Sequence, residues 1–284
     1  MRLGIVGDGR AARALVPRWE AAGHVVAWQQ RRHDAVPLGA RPAVDVVILA
    51  VRDGELDGVA QALGDRPGAV AECWLHLSGV TPGLAIRRSQ AVPRACGALH
   101  PLVALAGASG TGPLGAFAGL DGDPEAVVVA HALAAACGLT PVVLAEGGAK
   151  ALYHAAAVTV AGHATALFAQ GLQLMGLAGL SQADAHPALL ALMRSTVENL
   201  ALGPPERVVT GPVARGDLET VSRHLAALGA ASEDIGLVYR ALAREAVALS
   251  SRGGGLDPET AERLLGLLAA GATPPQGSPP TATP

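Results

Sequence analysis

The sequence predicts an α/β domain followed by an all-α domain, and two patterns indicate this division. In the first half, short apolar runs alternate with helical segments, as in a parallel sheet covered by helices on both faces. From residue 149 onward the segments are long and helical. A length of 284 residues also favours two domains. We predict the α/β domain at residues 1–146, the helical domain at 147–270 and a disordered, proline-rich tail at 271–284.

The first fifteen residues have the pattern of a strand, a glycine turn and a helix. The apolar run 3–6 is followed by Gly7-Asp8-Gly9, and residues 10–15 have helical composition. The spacing G-x-G-x-x-A is typical of Rossmann-like dinucleotide-binding domains: Gly7 permits the turn, Gly9 admits a pyrophosphate, and small Ala12 lets the helix pack closely. The helix N-terminus also attracts phosphate. The alternative is a tight turn that binds nothing.

The end of the second predicted strand, residues 24–28, bears on the choice of cofactor. It leads into Gln29-Gln30-Arg31-Arg32, with no acid before Asp34. An acid here accepts from the ribose 2′-hydroxyl of NAD, whereas guanidinium groups suit the 2′-phosphate of NADP. The sequence therefore predicts NADP, with a solvated basic turn as the alternative. The predicted cofactor-binding residues are Gly7, Gly9, Arg10, Ala11, Ala12, Arg31, Arg32, Ala50, Val51, Arg52 and Ser78.

Polar side chains follow the fourth and fifth predicted strands. Ser78 comes after the strand at residues 73–77, and His100 after the strand at 94–99. The carboxyl ends of such strands open onto the cleft where a nicotinamide would lie, so both residues are candidates for the catalytic site. The alternatives are a turn residue for Ser78 and a hydrogen-bonded buried imidazole for His100.

The long apolar helix predicted at residues 149–180 begins with two further candidates. Lys150 and His154 are four residues apart and share one helix face. Hydride delivery to a carbonyl or imine needs a proton donor and polarising groups, which a lysine near an apolar pocket or an imidazole can supply. The alternative for Lys150 is a head group that reaches solvent at the hinge, Gly147-Gly148. Tyr153 is expected to pack, and His163 to lie in a core or interface.

Composition argues against several other classes of protein. A net charge of -3 and 2% aromatic residues give little basis for binding nucleic acid. The three cysteines lie far apart, which suggests neither a metal site nor a disulfide framework. No signal peptide is expected before the first strand, and the polar residues of the long helix argue against a membrane span. We expect a cytoplasmic protein that forms a homodimer through its C-terminal helices, because the long helix is apolar nearly all round.

Several segments of the sequence together resemble those of a family of proposed NADP oxidoreductases. They are the glycine turn, residues 76–79 with 100–102, residues 150–156, and Thr210–Asp217 with His224. Members pair a Rossmann-like domain with a helical domain of unknown function. The family is similar to pyrroline-5-carboxylate reductases, deazaflavin-dependent NADP reductases and β-hydroxyacid dehydrogenases. The last group carries lysine and asparagine at the spacing of Lys150 and His154.

The resemblance implies architecture and cofactor type but no substrate. The sequence predicts an NADP-dependent oxidoreductase acting on a small C–O or C–N centre, with Lys150, His154, Ser78 and His100 as its catalytic residues. The alternatives are a catalytically idle NADP-binding sensor and exchange of reducing equivalents between NADP and a flavin or deazaflavin. Which of Lys150 and His154 donates the proton stays open, as does the role of Arg215.

Overall fold

The computed structural model describes residues 1–31, 34, 41–64, 71–88, 95–105, 110–145 and 149–269. Arg32, the predicted hinge at Gly147-Gly148 and the predicted tail lie outside the described residues. The chain divides into two compact units, Met1–Ala164 and Thr165–Pro284. The division falls inside a long helix, so the first turns of that helix belong to the first unit.

A seven-stranded sheet forms the centre of the first unit. Its strands are β1 (Arg2–Val6), β2 (Val25–Gln30), β3 (Val46–Leu49), β4 (Cys73–His76), β5 (Ala95–Leu102), β6 (Ala116–Gly122) and β7 (Leu139–Val143). The order is β2-β1-β3-β4-β5-β6-β7. Strands β1 to β5 are parallel, and β6 runs antiparallel to β5. The chain turns to opposite sides of β1 to form β2 and β3, which creates a topological switch point between β1 and β3.

Helices cover both faces of this sheet, as the apolar strand patterns predict. They are α1 (Arg10–Ala21), α2 (Leu56–Gly64) and α3 (Pro124–Ala136). All four residues of β3 are buried, and they alternate between two cores. Val46 and Ile48 join the core that contains residues of α1 and α3, whereas Val47 and Leu49 join the core that contains residues of α2. Strands buried on both faces in this way are typical of α/β folds.

Strand β5 is longer than the sequence pattern indicates. Its parallel ladder with β4 stops at Ala98, but its antiparallel ladder with β6 continues to Leu102 and pairs His100 with Gly119. His100 therefore lies within a strand rather than after one. A short helix at Gly83–Arg88 is a second difference, because nothing in the apolar periodicity marks it.

The remaining elements are helices. They are α4 (Ala149–Leu177), α5 (Gln182–Leu202), α6 (Pro205–Val208), α7 (Leu218–Ala231), α8 (Glu233–Arg252) and α9 (Pro258–Ala269). Side chains of α7, α8 and α9 form a core that includes Val221, Val247 and Leu264. Asp217 caps α7, since its Oδ1 accepts from the backbone N–H of Thr220 at 3.0 Å. The sequence predicts this cap.

Helices α4 and α5 are largely exposed. In α4 Lys150 alone is buried, and in α5 Ala185 alone. The described residues do not bury the long helix, and His163 is exposed among them rather than in a core. Helix α4 has 29 residues and a mean hydropathy of 1.2 in its most apolar window, so its length and composition suffice to cross a membrane. One such helix is a weak indication of a membrane span.

Candidate functional site

The glycine turn after β1 is built as the sequence pattern requires. Gly7 has φ 110°, and a Cβ on it would overlap the backbone of Ala50, so only glycine fits. Gly9 precedes α1 with no side-chain hydrogen bond capping the helix, and a Cβ on it would meet nothing within 4 Å. The first N–H groups of α1 thus adjoin open space without a capping side chain.

A cavity of about 490 Å³ lies at this turn. This volume is within the usual range of small-molecule sites. Of the predicted cofactor-binding residues, the ones that line it are Gly7, Gly9, Arg31, Ala50, Val51 and Arg52. Ala12 lines a neighbouring cavity of about 390 Å³ together with Arg31. Arg10, Ala11 and Ser78 do not line either of these two cavities.

The first acid after β2, Asp34, is already occupied. Its Oδ2 accepts from the backbone N–H of Arg31 at 2.8 Å and lies 3.4 Å from Nη2 of Arg41. Arg41 also donates from Nε to Oε1 of Gln30 at 2.9 Å. Sequence reasoning missed Arg41, because no spacing rule links it to the end of β2. The Arg31 side chain remains exposed at the cavity.

A second group of polar residues lies in the first unit, around the carboxyl end of the parallel ladder of β4 and β5. It joins the start of α4 to these strands and to β6. Its members are His76, Ser78, His100, Asp121, Lys150, Tyr153 and His154. We call this set the polar cluster.

Lys150 forms a buried ion pair in the polar cluster. Its Nζ lies 2.6 Å from Oδ1 of Asp121, and its side chain is 4% exposed. Oδ2 of Asp121 accepts from the backbone N–H of Gly83 at 2.6 Å. Burial lowers the pKa of Lys150, and the adjacent Asp121 carboxylate opposes that shift. The alternative of a solvent-reaching lysine is therefore wrong. The sequence pattern did not indicate Asp121, because this residue lies on β6, 29 positions before Lys150.

His100 and Tyr153 are hydrogen-bonded to each other. The hydroxyl of Tyr153 lies 3.0 Å from Nδ1 of His100. Burial, with His154 and Lys150 nearby, lowers the pKa of His100 to about 4, so its ring is neutral at neutral pH. Burial raises the pKa of Tyr153, while a hydrogen bond from the backbone of Gly119 works against this. Tyr153 therefore keeps its proton, and the tautomer of His100 decides which of the two groups donates in this hydrogen bond. Tyr153 packs against the ring of His100, as expected, and it also forms this hydrogen bond.

The ring of His154 packs against that of His100. Their centroids are 5.4 Å apart and the rings are nearly perpendicular. Nδ1 of His154 is buried and has no hydrogen-bond partner among the described residues. A Cβ on Gly79 would overlap this nitrogen and lie 2.8 Å from Nε2 of His100. The absence of a side chain at Gly79 therefore permits the contact of the two rings.

His76 and Ser78 are tied into the turn after β4. His76 is fully buried: its Nδ1 accepts from the backbone N–H of Ser78, and its Nε2 lies 3.1 Å from the carbonyl oxygen of Pro82. Burial and Lys150 lower the pKa of His76 to about 4. Oγ of Ser78 accepts from the backbone N–H groups of Thr81 and Val80 at 2.9 and 3.3 Å. Ser78 thus shapes the turn, and its hydroxyl proton remains able to donate.

Comparison with known proteins supports the architecture. Residues 116–246 match the family model of a domain of unknown function, DUF2520. This stretch includes Asp121, Lys150, Tyr153 and His154 of the polar cluster. Among curated proteins, none matches the chain.

Solved structures resemble the chain over most of its length. A Thermotoga maritima protein of 21% identity aligns over 88% of this chain and 98% of its own, with a TM-score of 0.66. A proposed NADP oxidoreductase from Bacteroides fragilis is 18% identical over 88% and 96%, with a TM-score of 0.65. The pyrroline carboxylate reductase of Plasmodium falciparum, solved with NADP bound, is 12% identical over 95% and 98%, with a TM-score of 0.53. These likenesses confirm the predicted fold, a Rossmann-like domain followed by a helical domain.

Proposed function

We propose that this protein is an NADP-dependent oxidoreductase that transfers a hydride to or from a small C–O or C–N centre. The observation that carries the proposal is the placement of two features along one edge of one sheet. The cavity at Gly7 and Ala50 lies beyond the carboxyl ends of β1 and β3, and Ser78 and His100 lie just past the last pair of the parallel ladder of β4 and β5. Ligands of open α/β sheets bind at this edge.

The residues at the glycine turn fit a dinucleotide. Gly9 leaves space beside the uncapped N-terminus of α1, where a pyrophosphate would accept from backbone N–H groups. Asp8 also lines the cavity, but Arg13 forms an ion pair with it at 3.4 Å, which offsets its charge. When bound, the nicotinamide supplies or accepts the hydride.

The state of Asp34 supports NADP over NAD. NAD-binding domains use a free carboxylate near this point to accept from the ribose 2′-hydroxyl. Here that carboxylate is engaged by the backbone N–H of Arg31 and by the side chain of Arg41, and Arg31 is exposed and lines the cavity. An arginine suits a 2′-phosphate by charge and geometry. The Bacteroides and Plasmodium proteins, whose names include NADP, add support.

The contacts suggest a division of labour in the polar cluster. We assign proton exchange with the substrate to His154, because its Nδ1 is without a partner among the described residues and an imidazole nitrogen can either donate or accept a proton. Lys150 is held by Asp121 and acts as a positioning residue that keeps positive charge beside the site. His100 and Tyr153 orient the ring of His154, and the Ser78 hydroxyl donates to the substrate. In reduction, the hydride adds to carbon and the proton to oxygen or nitrogen.

Cofactor titration tests the proposal directly. NADPH should change the protein fluorescence at a lower concentration than NADH does, because it should bind more tightly. Arg31→Ala should weaken NADPH far more than NADH, because only NADPH loses a charge-assisted contact. Arg223→Ala, an exposed arginine of α7, is the matched control and should change neither affinity. Equal affinity for both cofactors would overturn the choice of NADP.

Activity requires a second test. NADPH oxidation should be followed with a panel of small ketones and cyclic imines, and NADP⁺ reduction with the matching alcohols and amines. Turnover of any compound in these panels by the unmodified protein, together with its loss in His154→Ala, supports the proposed oxidoreductase activity. Tight NADPH binding without turnover on either panel would favour the idle sensor instead.

We also propose that a second copy of the chain covers α4 and α5. Large apolar side chains are exposed on both helices, among them Leu152 at 76%, Val160 at 77% and Leu192 at 61%. Extensive exposure of large apolar side chains is typical of an interaction site. The three cysteines are free and buried, which suits a reducing compartment, and we place the protein in the cytoplasm.

A further inference from the structure

The second unit contains a larger cavity than the one at the glycine turn. Its volume is about 690 Å³, within the usual range of small-molecule sites. Its wall comes from α6, from the loop between α6 and α7, and from the end of α8. This loop contains Thr210–Asp217, one of the segments that carry the family resemblance. The proposed hydride transfer gives this segment no role.

Two arginines give this wall a positive charge. Arg207 and Arg215 both line the cavity and are exposed. Neither forms an ion pair or a side-chain hydrogen bond among the described residues. The acid of the lining is Glu206, and Arg252 lies 3.6 Å from it. Asp217, the next acid along the loop, is engaged by the N–H and hydroxyl of Thr220 at 3.0 and 2.7 Å. These hydrogen bonds lower the pKa of Asp217, and the charge of Arg215 adds to the effect.

Hydrogen bonds hold another part of the wall in place. Ser250 is 3% exposed and donates from Oγ to the carbonyl oxygen of Ala214 at 2.9 Å, which fixes the loop on α8. The N–H groups of Gly253, Gly254 and Gly255 donate to carbonyl oxygens of the last turn of α8. Three carbonyl oxygens at that end of the helix are thereby hydrogen-bonded. The formal charges of the lining are those of Arg207, Arg215 and Glu206, and Arg252 lies beside Glu206.

We propose that this cavity binds a small molecule through an anionic oxygen group, a carboxylate or a phosphate, held by Arg207 and Arg215. Guanidinium groups match both anions in geometry and charge. Thr210 and the glycine backbone leave room for the body of the ligand. This site lies in a different unit from the NADP cavity, and the proposal stands or fails independently of the oxidoreductase.

Calorimetric titration of the full chain tests the proposal with two probes, inorganic phosphate and succinate. At least one probe should bind at millimolar concentration or below, and the stronger one identifies the class of anion. Arg215→Met and Arg207→Met should each weaken that binding about tenfold or more, because each removes a charge-assisted contact. Arg223→Met, in the same unit and paired with Glu219, should leave it unchanged.

Three results would overturn the proposal. The first is no heat from either probe in the unmodified protein. The second is binding that survives both substitutions at Arg207 and Arg215 in variants whose circular dichroism is unchanged. The third is a loss of NADPH affinity in these variants that matches the loss of anion affinity, since the arginines would then serve the cofactor. Normal NADPH binding in variants that have lost the anion separates this site from the cofactor site.

Discussion

Lys150 and Asp121 form an ion pair of 2.6 Å that joins the first turn of α4 to β6 inside the first unit. Both charges are largely withdrawn from water, and the carboxylate has a second partner in the backbone N–H of Gly83. Removing one partner of a buried ion pair strongly destabilises the folded state, because the other charge is then left buried and unpaired.

We expect Lys150→Met and Asp121→Asn each to lower the free energy of unfolding by roughly 3 kcal/mol. The double variant should lose less than the sum of the two, because neither charge is then left alone. Urea denaturation of the four proteins measures this coupling. The exposed pair of Arg223 and Glu219 is the matched control, where the same cycle should give less than about 1 kcal/mol. Additive losses at Lys150 and Asp121 would contradict a coupled pair.

Stability should fall as the pH drops from about 6.5 towards 4. His76 and His100 have a pKa of about 4 in the folded chain, against 6.5 for an ordinary histidine, chiefly because both are buried. Between these values the unfolded chain binds more protons, so each histidine contributes stability that is present above pH 6.5 and lost on acidification. The slope should approach about 1.4 kcal/mol per pH unit for each histidine.

Two variants isolate this effect in thermal or urea unfolding across that pH range. His100→Asn keeps an acceptor for the Tyr153 hydroxyl but does not titrate, so its slope should be clearly smaller. His131→Gln, at an exposed position on α3, should keep the slope of the unmodified protein. An unchanged slope in His100→Asn would mean that His100 does not contribute.

Sequence reasoning predicted the parts of the fold that have local causes. The glycine turn, the buried strands and the cap at Asp217 follow from residue type and spacing within a few positions. No local pattern indicates that β6 runs antiparallel to β5, because this direction depends on which strand β6 pairs with. The extension of β5 through His100 is a consequence of that pairing.

The same distinction applies to the polar cluster. Lys150 and His154 are marked by their spacing on one helix, and Ser78 and His100 by the predicted ends of two apolar runs, although pairing with β6 extends β5 past His100. Asp121 and the contact of Tyr153 with His100 depend on tertiary packing between residues 29 and 53 positions apart. The engagement of Asp34 by Arg41 is of the same kind.

His154→Ala should lower turnover by roughly two to four orders of magnitude, the usual effect of removing a positioned acid or base. NADPH affinity should be nearly unchanged, because His154 does not line the cavity at the glycine turn. Tyr153→Phe, which removes the hydroxyl that orients His100, should give a smaller loss. His163→Ala, exposed on the same helix, is the control and should keep full turnover. Full activity in His154→Ala would move proton exchange to another group.

The exposed apolar side chains of α4 and α5 predict a homodimer, which light scattering at micromolar concentration should detect. Val160→Glu and Leu192→Glu should each shift the protein towards the monomer, because a buried unpaired carboxylate opposes association. Val128→Glu is the matched control: Val128 on α3 is 70% exposed, and a charge there should leave the dimer intact. Association with phospholipid vesicles in a flotation assay, lost in Val160→Glu, would instead assign the surface to a membrane. A protein that is monomeric and does not bind vesicles would contradict both the homodimer and the membrane contact, because the apolar surface would then have no partner.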